Sequence, residues 1–98
     1  MFARVSTFAG APEGLDRFVR EAEEKVIPTA GRLGGFRGML ALGDRATGGS
    51  ISITFWDTEQ AMTASEQAAD KLREQTAPAS GYRVVGVERF EVLLNRPL

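Results

Sequence analysis

Hydrophobic and polar positions along the chain change period several times, which divides it into short strands and longer helices. Alternation with a period of two is cleanest over Ser50 to Trp56, as in a strand with one covered face. Apolar residues three and four apart recur from Leu15 to Leu33 and again after Thr58, as on the buried stripe of a helix. The predicted strands cover residues 2–8, 35–44, 50–56 and 82–94, and the predicted helices cover about 12–33, with a kink at Pro28, and 58–76.

This β-α-β-β-α-β order predicts an α+β, ferredoxin-like domain: a four-stranded antiparallel sheet with both helices on one face. Ninety-eight residues allow a single domain over 1–98, with 2–94 structured and 95–98 as a tail. Asp57, with Gln60 three residues on, is the expected N-cap of the second helix. A change of apolar parity in the last strand predicts a bulge near Glu88 and Arg89.

The position of a charged residue predicts which side chains of each strand lie on the face of the sheet that the helices cover. A guanidinium beneath packed helices is costly unless it is paired, so Arg4 is expected on the uncovered face of the sheet. By the same argument the helices should cover Ile51, Ile53 and Phe55. The uncovered face should then carry part of the last strand, either Phe2 or Phe8, and Arg4, Ser6, Arg37, Met39, Ser52, Thr54 and Trp56. A face with aromatic and thioether side chains rarely stays bare, so we expect a homodimer formed through it, with room for a small ligand.

Composition excludes several classes of function. Twelve basic and thirteen acidic residues give a net charge of −1, which argues against nucleic acid or an anionic membrane as a partner. The chain has no cysteine and no histidine, so neither a thiolate nor an imidazole is available, and no metal site is expected. Without a signal-peptide pattern or an apolar run long enough to span a bilayer, a cytoplasmic location is expected.

Two motifs resemble those of a known family. Gly35-Phe36-Arg37-Gly38 is similar to the Gly-Phe-x-Gly signature of antibiotic biosynthesis monooxygenases, and residues 53–61 resemble that family's junction between the third strand and the second helix. Pro28, upstream of the Gly-Phe element, also fits. The resemblance implies a dimeric α+β barrel. Family members include cofactor-independent oxygenases of polycyclic phenols, quinol oxygenases, haem-degrading enzymes and proteins without known activity.

Departures from the family pattern reduce the number of activities that the resemblance implies. Haem-degrading members share an Asn on the first strand, a Trp in the second helix and a His near the end of that helix. In this chain the first strand offers Ser6, the middle of the second helix offers Ser65-Glu66, and there is no histidine. No cofactor is therefore expected. Phenol-oxidising members use Asn, Trp, Tyr and Arg around the substrate. Of these types, Trp56 and the arginines are available, while Tyr82 begins the last strand and Asn95 lies in the tail.

Two functions remain open at this point. One is a cofactor-independent monooxygenase that binds a small phenol or hydroquinone in a sheet-face cavity, where Trp56 stacks on the ring and an arginine stabilises an anion. The other is a non-catalytic dimeric domain in which Trp56 packs a seam, Arg4 and Arg37 form ion pairs, and the methionines fill gaps. The candidate substrate-binding residues are Trp56, Arg4, Ser6, Arg37, Met39, Thr54 and Met62.

Overall fold

Four antiparallel strands form one sheet in the order β2-β3-β1-β4. The computed structural model describes residues 1–97. The strands are β1 (Phe2–Ala9), β2 (Phe36–Gly43), β3 (Ser50–Trp56) and β4 (Arg83–Glu91). Both helical segments pack on one side of this sheet, which confirms the predicted ferredoxin-like architecture.

The first helical segment is composite. A 3₁₀ turn (Pro12–Gly14) leads into α1 (Leu15–Glu21), then a π-helical turn (Ala22–Val26) and a short α2 (Ile27–Ala30). The kink expected at Pro28 thus takes the form of a widened turn immediately ahead of the proline, which has no N–H with which to continue an α-helical ladder. This widened turn forms one wall of the site described below.

The second helical segment breaks at Ser65 into α3 (Glu59–Ala64) and α4 (Glu66–Ala79). The predicted cap was wrong: Thr58, not Asp57, is the N-cap, and its hydroxyl accepts the N–H of Ala61 at 3.0 Å. The predicted end at Thr76 was also too early, because α4 continues through Pro78 to Ala79.

Gly35 explains the Gly-Phe element. Its φ of +85° is strained for any residue with a side chain, and a Cβ there would lie 2.6 Å from the Cβ of Ala61. Its carbonyl accepts the N–H of Asp57 at 2.8 Å. Glycine therefore lets the start of β2 touch the start of α3, and the motif is a requirement of the fold.

The last strand is shorter than expected and its irregularity lies elsewhere. Thr7 pairs with Gly86 whereas Phe8 pairs with Val84, so Val85 is the extra residue of a bulge, not Glu88 or Arg89. Residues 92–97 have no regular secondary structure. Of the predicted tail 95–98, Leu98 lies outside the described residues.

The predicted orientation of the sheet is reversed. Trp56 is 1% exposed and packs with Met62 and Ala30 beneath the helices, and Arg4 is buried on the same side. Because opposed residues share a face, the pairing of Arg4 with Thr54 and of Ser6 with Ser52 places all four under the helices. The charge argument failed because Arg4 is paired there, as shown below.

The uncovered face is mostly apolar, and the strand pairings give it three polar residues, Thr7, Arg83 and Glu88. Leu40, Leu42 and Phe90 are each about half exposed, at 47%, 48% and 52%. The strand pairings place one carboxylate on this face, Glu88, which lies opposite Val5. We call these residues the open face: Ala3, Val5, Leu40, Leu42, Ile51, Ile53, Phe55 and Phe90.

Within residues 1–97, no helix has the length and apolar character needed to cross a bilayer.

Candidate functional site

A cavity lies between the covered face of the sheet and the helices. Its floor comes from β1, β2 and β3, one wall from the π-helical turn with its flanking residues, and the other wall from α4. The space open to the centre of a water molecule is about 60 Å³. That volume holds a few water molecules, and the cavity opens to solvent at one side.

Trp56 forms the end of the cavity at the close of β3. Its indole N–H donates to the Thr54 hydroxyl, two residues back on the same strand face, at 3.0 Å. Phe36 meets the indole edge to face, with ring centres 5.4 Å apart. These contacts fix the plane of the ring, so Trp56 presents a rigid aromatic wall.

Arg4 lies beside this wall. Its guanidinium carbon is 5.5 Å from the centre of the Trp56 ring, within the range of a cation–π contact. Nη2 donates to the Met62 carbonyl at 2.8 Å and to the Ser65 hydroxyl, and Nε donates to Glu66 at 3.4 Å. The break between α3 and α4 therefore supplies the partners that make a buried guanidinium tolerable.

Burial lowers the pKa of Arg4, while the charge of Glu66 acts to raise it. The hydrogen bond from Arg89 holds the pKa of the Glu66 carboxyl below its usual range, and Arg4 adds to this effect despite partial burial. Arg89 binds both oxygens of Glu66, at 2.8 and 2.7 Å. Glu66 is therefore an ionised bridge between a buried and an exposed guanidinium.

Hydroxyl groups give the cavity a polar lining. Ser65 donates to the Met62 carbonyl at 2.7 Å, and Thr76 donates to the Leu72 carbonyl at 2.7 Å. Apolar side chains of the core and helices complete the walls. The hydroxyl-bearing residues are Ser6, Ser52, Thr54, Ser65 and Thr76, and the apolar ones include Phe8, Phe18, Val26, Leu33, Met39 and Leu72.

Two charged residues of the cavity were not among the sequence candidates. Arg73 of α4 has a side chain only 13% exposed; it donates to Asp70, and its Nη1 approaches the Ser6 hydroxyl at 3.5 Å. Glu21, at the end of α1, is 12% exposed, and Lys25 lies 3.0 Å from its Oε2. Glu21 forms ion pairs with Arg17 and Lys25, four residues away on either side, at 4.0 and 3.0 Å, but its carboxylate lies in a cavity wall and not on a solvated face.

A sequence signal for Arg73 existed. Ala69, Leu72, Arg73 and Thr76 follow the three-and-four spacing of one helix stripe, and all four line the cavity. Glu21 had no comparable signal, since its ion-pair spacing is typical of an exposed helix face.

Five of the seven substrate-binding candidates predicted from the sequence line the cavity. Arg37 lies outside it, exposed and ion-paired with Asp57. Met62 is buried in the cluster with Trp56 and meets Arg4 through its carbonyl, without lining the cavity itself. Tyr82 is also distant: its hydroxyl donates to the Ala11 carbonyl at 3.0 Å and its ring stacks on Phe18. The five that line the cavity are Arg4, Ser6, Met39, Thr54 and Trp56.

Among residues 1–97, no group of three or more histidine, cysteine or acidic side chains is arranged to hold a metal ion.

Comparison with solved structures identifies the fold. SnoaB, a cofactor-independent oxygenase from Streptomyces nogalater, superposes with a TM-score of 0.66 at 22% identity, covering 99% of this chain and 97% of that one. The ActVA-Orf6 monooxygenase of Streptomyces coelicolor, solved with the ligand nanaomycin D, gives 0.69 at 18% identity over 98% and 92%. The chain has the fold of antibiotic biosynthesis monooxygenases.

The same monooxygenase fold occurs in proteins of different chemistry. MhuD, a haem-degrader from Mycobacterium tuberculosis with two haems in its active site, gives a TM-score of 0.75 at 13% identity, covering 99% of this chain and 100% of that one. At such identities the superpositions establish the shared fold and leave the activity to be argued from the site.

No protein-family model matches the chain. Two curated relatives from Mycobacterium tuberculosis H37Rv are uncharacterized proteins. Rv2557 is 28% identical over 92 residues, or 94% of this chain and 41% of the relative. Rv2558 is 29% identical over 77 residues, or 79% of this chain and 33% of the relative. The chain thus spans less than half the length of the relatives it matches.

Proposed function

We propose that the protein is a cofactor-independent monooxygenase that oxidises a small phenol or hydroquinone in the cavity between the sheet and the helices. The observation that carries the proposal is the pair of Trp56 and Arg4, in which a fixed indole ring lies beside a buried guanidinium. A flat electron-rich ring would stack on Trp56, and Arg4 would stabilise negative charge on its oxygen.

The chemistry suits a site without metal ligands. An ionised hydroquinone is itself a reductant: it passes electrons to O₂, one oxygen atom enters the ring to give a hydroxyquinone, and the other leaves as water. The protein's contribution would be to orient the ring, to stabilise the anion and to limit the water around it. SnoaB, which has the same fold, is described as cofactor-independent.

Glu21 is the residue we propose as the base. Of the described residues that line the cavity, it is the one with a carboxylate, and most of its side chain is shielded from solvent. A hydroquinone O–H within hydrogen-bond reach of Glu21 would transfer its proton there as the ring becomes an anion. Lys25, whose Nζ lies 3.0 Å from Oε2, is the cationic partner of this carboxylate.

The cavity volume favours a single-ring substrate. Sixty cubic ångströms is less than a preformed site for a polycyclic compound requires. Met39 is the lining side chain best suited to move, since an unbranched and flexible side chain adapts to a ligand at low cost.

The second candidate function is a non-catalytic binding domain with the same pocket. The lack of histidine, together with an asparagine only at position 95, favours it. Haem degradation, the activity of MhuD, is not proposed for this chain, which has neither histidine nor cysteine to hold the iron.

We also propose that the protein is a homodimer that pairs the open face of one copy with that of another. Side chains such as Leu40, Leu42 and Phe90 would otherwise leave a broad apolar surface in water. Two twisted sheets packed face to face would bury it. A cytoplasmic location remains a prediction from the sequence.

Oxygen uptake tests the proposed activity. Wild-type protein should consume O₂ with a substituted hydroquinone faster than the uncatalysed reaction does, and form the hydroxyquinone in equal amount. Thr54→Val removes the acceptor of the Trp56 indole and should lower kcat/KM by about ten-fold, as expected when a fixed group loses its hydrogen bond. Thr63→Val, on an exposed position of α3, is the matched control and should behave as wild type.

The two candidate functions give different results. Binding of the hydroquinone without uptake above background would support the binding domain. Uptake that Thr54→Val and Thr63→Val leave unchanged would contradict the assignment of the reaction to this cavity.

A further inference from the structure

Arginines outnumber carboxylates where α4 crosses the sheet. Arg4, Arg73 and Arg89 gather around Glu66 and Asp70, so three positive charges face two negative ones. Glu21, across the cavity, has its own cationic partners in Lys25 and Arg17. Among the described residues that line the cavity, Arg4 and Arg73 are the cations and Glu21 is the carboxylate, so the lining carries more positive than negative charge.

Arg73 has hydrogen-bond donors to spare. A guanidinium carries five N–H donors. Asp70 binds Nη2, whereas Nη1 reaches only the Ser6 hydroxyl, at 3.5 Å, the outer limit of a hydrogen bond. Its side chain is 13% exposed and lines the cavity, so a further acceptor for Nη1 would come from inside the cavity, either from water or from a ligand.

Arg4 and Arg73 face the same small region. Ser6 and Arg4 are two residues apart on one face of β1, which places them about 7 Å from each other along the strand. Burial lowers the pKa of Arg4, and although Glu66 opposes this effect, the charges of Arg73 and Arg89 lower it further. An anion between Arg4 and Arg73 would relieve that repulsion.

We propose that the cavity contains an anion subsite between Arg73 and Arg4, beside the Ser6 hydroxyl, and that the ligand is an aromatic acid. Its ring would lie against Trp56, and its carboxylate, or an equivalent ionised oxygen, would accept from Arg73 Nη1 and from Ser6. This inference rests on the proposed function in one respect, that the cavity is the ligand site.

A pair of ligands that differ in charge tests the subsite. Gentisate is a hydroquinone with a carboxylate, and gentisamide is its neutral amide. Titration calorimetry without oxygen, at neutral pH, separates binding from any turnover. We expect gentisate to bind at least ten-fold more tightly than gentisamide, the usual range for a hydrogen bond to a charged group. Added salt should weaken gentisate binding alone.

The decisive variant is Arg73→Met, which keeps an unbranched side chain in the wall and removes the charge. It should abolish the preference for gentisate and leave gentisamide affinity unchanged, while Arg73→Lys should retain part of the preference. The control is Arg45→Met: it removes the same charge from an exposed residue that pairs with Asp16. Circular dichroism establishes that each variant is folded.

Each outcome separates this inference from the proposed function. Equal affinity of wild type for the two compounds would overturn the subsite and leave the cavity as a ligand site. Equal losses in Arg73→Met and Arg45→Met would overturn it too, since net charge alone would explain the preference. Binding of neither compound would contradict both proposals. Tight gentisate binding without oxygen consumption would support the subsite and contradict the oxygenase.

Discussion

The face of the sheet that the helices cover is more polar than the face left uncovered, the reverse of what is usual when helices pack on a sheet. The face covered by helices carries Arg4, Ser6, Ser52 and Thr54, whereas the face without a cover carries Ile51 and its aliphatic neighbours. Buried polar groups and exposed apolar groups both cost stability unless something compensates them. On the covered face, hydrogen bonds from the break between α3 and α4 supply part of the compensation, and the cavity supplies space for a ligand.

The comparison assigns the two faces different tasks. A polar, partly hollow layer beneath helices suits recognition of a small molecule with hydrogen-bonding groups. A mainly apolar layer with one carboxylate, Glu88, suits contact with a second apolar layer. We therefore propose that the chemistry takes place on the covered face and the assembly on the open face.

The largest expected effect is on assembly. Ile53→Glu places a charge in the middle of the open face, where dimer formation would bury it without a partner, at a cost of several kcal/mol. Sedimentation or light scattering at micromolar concentration should show wild type at twice the chain mass of 10.6 kDa and the variant at the single mass. Gln67→Glu, on an exposed position of α4, should remain dimeric. A monomeric wild type would contradict the dimer.

A smaller effect is expected on the covered face. Arg4→Met removes the buried hydrogen bonds that the guanidinium donates to the Met62 carbonyl and the Ser65 hydroxyl, and should cost about 2–3 kcal/mol of unfolding free energy. Urea titration measures this cost, with Arg45→Met as a control expected within about 0.5 kcal/mol of wild type. If the two variants unfolded at the same urea concentration, the Arg4 network would have no structural role.

The smallest effect is a pH dependence. Because the pKa of Glu66 is lowered in the folded state, its ionised form stabilises the fold above the unfolded value, near 4.5, and this stabilisation disappears as the pH falls through the folded pKa. Wild type should lose stability through that range, and Glu66→Gln should lose less. Thermal melts in a series of buffers below neutral pH measure the difference. Parallel curves for the two proteins would argue against the linkage.

The order of elements and the Gly-Phe junction were predictable because their signals are local. Alternation marks β3, helical spacing marks α1 and α4, and Gly35 marks a point where only glycine fits. The fold follows from that order under the usual rules of chain connection.

The orientation of the sheet was not predictable, because β3 alternates equally well in either direction. The charge of Arg4 decided the prediction, yet its partners, the Met62 carbonyl and Ser65, lie 58 and 61 residues away along the chain. A sheet face of apolar side chains that points away from the helices is also not recognisable from the sequence of one chain, because the surface that would cover it belongs to a second copy. Arg73 had a local signal in its helix stripe, but its neighbour Ser6 lies on another element, 67 residues away along the chain.

The most direct test of the division between the faces is a nuclear magnetic resonance titration of the labelled protein with a hydroquinone, in the absence of oxygen. Trp56 is the single tryptophan, so its indole N–H gives one resolved signal, and the methyl groups of Ile51 and Ile53 report on the open face. We predict that the Trp56 signal shifts with saturation while both isoleucine signals stay in place. Saturable shifts of Ile51 and Ile53 with an unmoved Trp56 signal would contradict the account.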